Sequence, residues 1–412
     1  PMAASIGVSV DREATVITGE THVDNLEAFT QLLTEVVLQP GFTEADFSRN
    51  KEQLSSYLTT TLRATNDELL GLEAIQAEIF EGHPYEHPPA GTVQGLASIT
   101  LDDVKKFYRD HYTRANLLLG VAGGYPETFP VELGKTLTRL PAGQPGLMEL
   151  PKPKEVQGRT FTLIDKDTAS VGLHLGYPLP VNRSDEEYYP LMVANSFLGE
   201  HRTQHGVLMQ QLRGERGLNY GDYSYVEYWE APPFTTNPSP GVPRRQQYFS
   251  VWLRPVRPET AHFALRAALY EIDKLRETGM SKEEFELTRT FLTNYSKLWA
   301  QTLSDRLGFL LDSRFYGMDY YIDEIEEQLA GMTVEEVNQA LRKHIRTDRY
   351  EAVLVTDDAA AVEAYLKADQ PSPITYESEV GEEVLAADKV IVKRKVEPTS
   401  IEILPVGEVF EE

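Results

Sequence analysis

Two pairs of histidines stand four positions apart, the spacing that brings two imidazoles onto one helix face where they can share a metal ion. His201 and His205, beside Glu200, are one such pair. Their simpler account is a polar loop leading into a helix from Gly206. His83 and His87 are the other, but Pro84 and Pro88 break any helix there and favour a turn. His111 and His344 end amphipathic segments, where an imidazole interacts with the helix dipole. Arg213 on a helix and Tyr220 at the start of a strand read, by themselves, as ordinary surface and core residues. With no cysteine, thiolate ligands, cysteine nucleophiles and disulfides are excluded and the redox compartment is left open.

The elements that must position these residues repeat. Gly279-Met280-Ser281-Lys282-Glu283-Glu284-Phe285 has the pattern of Gly41-Phe42-Thr43-Glu44-Ala45-Asp46-Phe47. Each places a hydroxyl N-cap three residues before a carboxylate, which satisfies orphan backbone donors at a helix start. Leu70-Gly71 then echoes Leu307-Gly308, and Phe80 and Gly82 echo Phe315 and Gly317. Thr100 with Asp103 and Thr333 with Glu336 cap helices that end at His111 and His344. Strands Asn116 to Ala122 and Tyr350 to Val355 follow. A period this long marks a duplicated domain rather than a solenoid.

Each unit reads as strands, several amphipathic helices, then a closing strand, which predicts α+β domains with an antiparallel sheet and helices on one face. The first repeat occupies 1–140, a Pro- and Gly-rich linker 141–158, the second repeat 159–369 and a C-terminal extension 370–412. In that extension, the β-prone run Ile401 to Val406 is expected to pack back onto a domain. Measured against the second repeat, the first lacks roughly 70 to 80 residues at its front, so a segment preceding Pro1 is expected.

The 412 residues, with 39 Lys and Arg against 64 Asp and Glu, carry a formal charge of −25. Such a charge repels nucleic acid and anionic membrane surfaces, and no apolar run is long enough to span a bilayer.

The stretch Gly82-His83-Pro84-Tyr85, Gly91-Thr92, Ile99 to Val104, Phe107-Tyr108, His111-Tyr112 and Asn116 resembles the first-domain signature of the insulinase, pitrilysin and mitochondrial-processing-peptidase family of zinc metallopeptidases. Leu212 to Tyr220 resembles its second-domain segment, in which an Arg and a Tyr seven positions apart reach toward the active site. The resemblance implies a clamshell of two homologous domains around a chamber, with zinc on the inner wall of the first. There an inverted H-x-x-E-H motif and a later glutamate hold the metal, and the motif glutamate takes a proton from bound water.

This chain contains no H-x-x-E-H, and the repeat spacing would put one upstream of Pro1. The family's later glutamate positions fall on Asn50 and Tyr57, and Glu52 lies on a different helix face. The expectation is therefore a chain that binds no zinc itself and supplies the other half of a composite site. In it Arg213 donates to a substrate carbonyl and the Tyr220 hydroxyl stabilises an oxyanion. The implied partners are a peptide and a zinc-bearing homologous subunit or a second copy of the chain. Alternatives are an active zinc endopeptidase whose motif lies upstream, and a peptide-binding scaffold. The bacterial periplasm or cell envelope is the expected location.

Overall fold

The computed structural model describes residues 3–146, 150–230, 235–376 and 378–412. The first repeat opens with an antiparallel hairpin, β1 (Ala4–Val10) and β2 (Thr15–Thr21), registered Ala4 to Thr21 and Val10 to Thr15. Its helices follow as α1 (Leu26–Leu38), α2 (Glu44–Ser56), α3 (Asp67–Ile79), α4 (Val93–Ser98), α5 (Leu101–His111) and α6 (Phe129–Leu137). The second repeat holds β3 (Arg159–Asp165), β4 (Val171–Leu179), α7 (Tyr188–Gly199), β5 (Asn219–Tyr225) and β6 (Gln247–Val256). Then come α8 (Ala261–Thr278), α9 (Lys282–Trp299), α10 (Leu303–Tyr316), α11 (Tyr321–Gly331), α12 (Val334–His344), β7 (Tyr350–Thr356) and α13 (Ala359–Ala368). The extension adds α14 (Glu382–Ile391) and β8 (Ser400–Pro405).

The repeated caps form as their sequences dictate. Thr43 accepts from the Asp46 amide, and Thr100 with Asp103, Ser281 with Glu284 and Thr333 with Glu336 make reciprocal capping boxes. Each cap stabilises its helix by about 1 kcal/mol.

Six strands build the main sheet in the order β5-β6-β4-β7-β3-β8. The α+β class holds, but the sheet is mixed: β3 runs parallel to both β7 and β8, while β4, β5, β6 and β7 pair antiparallel. β7 enters between β3 and β4, so the first two strands of this repeat never meet, and β8 joins the other side of β3. The run Ile401 to Val406 packs back as expected, with β8 forming the edge beside β3. One face of the sheet presents Leu173, Leu175, Val251, Leu253 and Leu354 to Leu265, Leu269 and Ile272 of α8 and Val337 and Leu341 of α12, all fully buried. Each such side chain contributes about 1.5–3 kcal/mol through the water it sheds.

The opposite face is covered by a helix of the other repeat. α3 lies across β4 and β7, where Leu70, Ile75 and Ile79 join Val353 and Val355 in a second buried cluster. Gly71 permits the approach, since a Cβ there would come 2.2 Å from Nε2 of His174 on β4. The reverse contact also exists: a Cβ on Gly120 would come 2.7 Å from a methyl of Leu307 on α10. Of the two helices that carry the repeated Leu-Gly pair, α3 crosses onto the other repeat's sheet and α10 meets the other repeat at Gly120.

One expected strand is absent. Arg114–Asn116 is a short 3-10 turn, and 117–122 pairs with no strand among the described residues. Leu117, Leu118 and Leu119 are 41%, 51% and 40% exposed. The counterpart, β7, is held on both sides by β3 and β4. Without flanking ladders of that kind, β-prone residues have no hydrogen-bond partners to keep them in a sheet.

Candidate functional site

Arg213 and Tyr220 are brought together by a widened helical turn. Met209–Gly214 is π-helical, and Glu215 N donates to Gln210 O at 2.8 Å. The chain then reverses through Gly217, at φ +59°, and Leu218 N donates back to Leu212 O at 3.0 Å. Tyr220 is the second residue of β5, with its ring directly beneath the guanidinium, 4.7 Å from Arg213 Cζ to the ring centre. Tyr220 is 61% exposed, so the stack is worth about 0.5–1 kcal/mol, enough to orient the arginine but not to immobilise it. Arg213 Nη1 has a weak contact with Met209 Sδ at 3.9 Å.

A third group belongs to this corner and escaped the reading of the sequence. Asp222 is fully buried two residues along β5, accepts a hydrogen bond from Asn219 Nδ2, and has Oδ2 without a partner. Burial pushes its carboxyl up to about 7, against the opposing pull of the Arg213 charge. A carboxyl poised there can hold or release a proton near neutrality. Its only signal in the sequence is an acidic residue inside an otherwise aromatic strand.

The remaining aromatic residues of this stretch do not line up with Tyr220. Tyr223 and Tyr225 are buried with Met209 and Trp252, and Trp229 packs against that cluster. Tyr228 instead lies under Arg244, 3.3 Å from Cζ to the ring centre.

His201 and His205 diverge. The His201 ring is buried between Tyr223 and Trp229, and its Nδ1 is 2.7 Å from the Tyr225 hydroxyl. Burial lowers its pKa to about 3. His205 packs edge-on against Phe291, at 4.6 Å between ring centres, and Glu200 bonds to Ser196 Oγ. His83 closes a turn as the prolines require, with Nδ1 accepting from the Tyr85 amide at 3.0 Å. His344 ends α12 with Nε2 2.8 Å from Glu187.

The residues present do not fit a zinc centre. Asn50 is exposed on α2, and Tyr57 starts a π-helical segment running to Thr65. Burial raises the Tyr57 phenol pKa, with the Glu73 charge adding to it, and Glu73 is already paired with Arg12 at 3.0 Å. Among the described residues no group of three or more His, Cys, Asp or Glu side chains is placed to hold a metal ion. No described helix is long and apolar enough to cross a membrane.

Against known proteins, residues 98–292 match the family described as the peptidase M16 inactive domain. The non-peptidase homolog YmxG of Helicobacter pylori is 23% identical over 352 residues, covering 83% of this chain and 75% of that protein. The mitochondrial-processing peptidase subunit beta of Caenorhabditis elegans is 21% identical over 211 residues, covering 50% of this chain and 44% of that protein. The crystal structure of the peptidase M16 inactive domain from Pseudomonas fluorescens superposes with a TM-score of 0.74 at 21% identity, covering 92% of this chain and 82% of that one.

Proposed function

This chain belongs to the peptidase M16 family of zinc metallopeptidases and their relatives, and from that premise we propose that it is a noncatalytic member that presents peptides to a zinc-bearing partner. Zinc, where a family member holds it, supplies an activated water for hydrolysis. This chain's own part is to hold the peptide: Arg213 offers planar N–H donors to a backbone carbonyl, and the Tyr220 hydroxyl offers one more. The partner is a homologous subunit with an intact metal site, or a second copy of the chain.

The observation that carries the reading is the asymmetry between the two halves of the site. Arg213 and Tyr220 stand stacked and accessible, while Asn50 and Tyr57 replace the carboxylates a metal would need. The full-length protein, assayed for zinc and for cleavage of unstructured peptides with and without a chelator, tests it. Alone it is expected to bind no stoichiometric zinc and to cleave nothing. With a zinc-bearing M16 homologue from the same organism, cleavage is expected to appear and to fall on Arg213→Ala. Stoichiometric zinc with chelator-sensitive cleavage by the isolated chain would overturn the reading. Peptide binding without turnover in every combination would leave a scaffold in its place.

A further inference from the structure

On the helical side of the second repeat, away from Arg213 and Tyr220, lies a cavity of about 660 Å³ that none of the roles above uses. It opens between α7, α8 and α9, where Phe197, Leu275, Leu287 and Phe291 make an apolar wall beside Gln210, Gln211 and Thr288. The volume falls within the range of small-molecule sites.

Glu271, from α8, also lines this cavity, and its side chain is only 2% exposed. Its Oε1 has no hydrogen-bond partner. Arg216 Nη1 is 3.7 Å from that oxygen, beyond hydrogen-bond distance, and Lys274 Nζ is 4.0 Å from Oε2. Arg216 turns toward Asp388 at 2.9 Å and the Gln211 carbonyl at 2.7 Å, and its own Nη2 is also left without a partner. Burial raises the Glu271 pKa, with Asp388 adding to the effect and Lys274 and Arg216 opposing it. A buried carboxylate oxygen left without a donor costs about 1–3 kcal/mol, so a ligand that brings a donor recovers it.

What Oε1 lacks is a donor within hydrogen-bond distance. Glu271, Asp388 and the lining residue Glu284 outnumber Arg216 and Lys274. An anion would have to face the unpaired oxygen at low dielectric, which is repulsive. We propose that this cavity binds an organic cation, an ammonium or guanidinium group carried on an apolar or aromatic body, with the charged head on Glu271 and the body between Phe197 and Phe291. A free amine and the basic side chain of a peptide share this chemistry. The site is independent of the peptide-presenting role, and its failure would leave that role untouched.

Calorimetric titration of the full-length protein with phenethylamine, its neutral counterpart 2-phenylethanol, and N-acetyl-lysine methylamide tests the assignment. Phenethylamine is expected to bind at least about tenfold more tightly than the alcohol, the ratio that a single charge-assisted hydrogen bond supplies. Whether the lysine derivative matches or exceeds phenethylamine separates a peptide side chain from a free amine as the source. Glu271→Gln removes the charge and is expected to abolish the tenfold preference. Leu287→Trp, at a position 66% exposed and tolerant of bulk, is expected to block all three ligands without unfolding the protein. Equal binding of amine and alcohol, saturation unchanged in both variants, or no saturable binding up to on the order of 10 mM would each overturn it.

Discussion

Gly71 of the first repeat and His174 of the second are in direct contact, with the helix backbone so close to the imidazole that no side chain fits between them. His174 is buried, stacks on Trp252 at 5.8 Å, and has neither ring nitrogen hydrogen-bonded. Its polar atoms are desolvated against a helix, a cost borne where the two repeats meet.

The contact sets the outcome of Gly71→Ala. In an exposed helix this change stabilises by about 0.5–1 kcal/mol, because alanine loses less entropy on folding. Here the new methyl would collide with a ring that has no room to turn, and overpacking of this kind costs about 1–3 kcal/mol. Net destabilisation is expected, read as a lower urea midpoint at unchanged m value.

His174 also predicts a pH dependence. Burial depresses its pKa to about 3, so between there and 6.5 the unfolded chain takes up a proton that the folded chain refuses. Its contribution is intact above pH 6.5 and is lost progressively as pH falls toward 3. By pH 5 about 2 kcal/mol should be gone. Urea titrations at pH 8 and pH 5 should show His174→Leu losing about that much less stability than the parent, whatever the absolute stability of either.

Arg244 makes a second tie between the repeats. It is fully buried, bonds to Gln76 on α3 at 2.7 Å and to Asp11 in the hairpin turn at 3.1 Å, and lies against Tyr228. Removing it leaves the Asp11 carboxylate, with one oxygen already unpartnered, without its cation. Arg244→Ala should cost about 3–5 kcal/mol in thermal or urea unfolding.

Tyr220→Phe and Arg213→Lys dissect the accessible pair. The first keeps the ring beneath the guanidinium and removes only the hydroxyl, and the second keeps the charge but loses the planar fork. Both positions are open enough that stability should move by less than about 0.5 kcal/mol. Peptide cleavage by the complex with a zinc-bearing homologue should fall in both, with the larger loss for Arg213→Lys if two N–H groups hold the substrate carbonyl. A drop in melting temperature that tracks the loss of cleavage would instead mark the pair as structural.

What could be read from the sequence followed local chemistry. A hydroxyl three residues before a carboxylate makes a helix cap wherever it occurs, so Thr43, Thr100, Ser281 and Thr333 located four helices and exposed the duplication. The proximity of Arg213 and Tyr220 is local too, because a single tight turn joins them. The crossing of α3 onto β4 was not, since Gly71 and His174 are remote in sequence and the periodicity of a helix reports which face is apolar, not whose sheet it meets. The run 117–122 was misread for the same reason: its leucines favour a strand, but a strand exists only where neighbours offer their ladders. Asp222 stayed hidden because burial, which gives it its altered acidity, leaves no mark on its letter.

The crossed helices have a further meaning. α3 and α10 occupy matching places in the two repeats; α3 lies across β4 and β7 of the second, and α10 touches the first through Leu307 and Leu311 at Gly120. Two identical chains that traded this helix would form a symmetric, swapped dimer. Joining such chains end to end by a linker would give the present arrangement and free each half to diverge. By that account neither half should stand as a folding unit when expressed alone, whereas halves severed within 141–158 and produced together should find each other and restore one molecule.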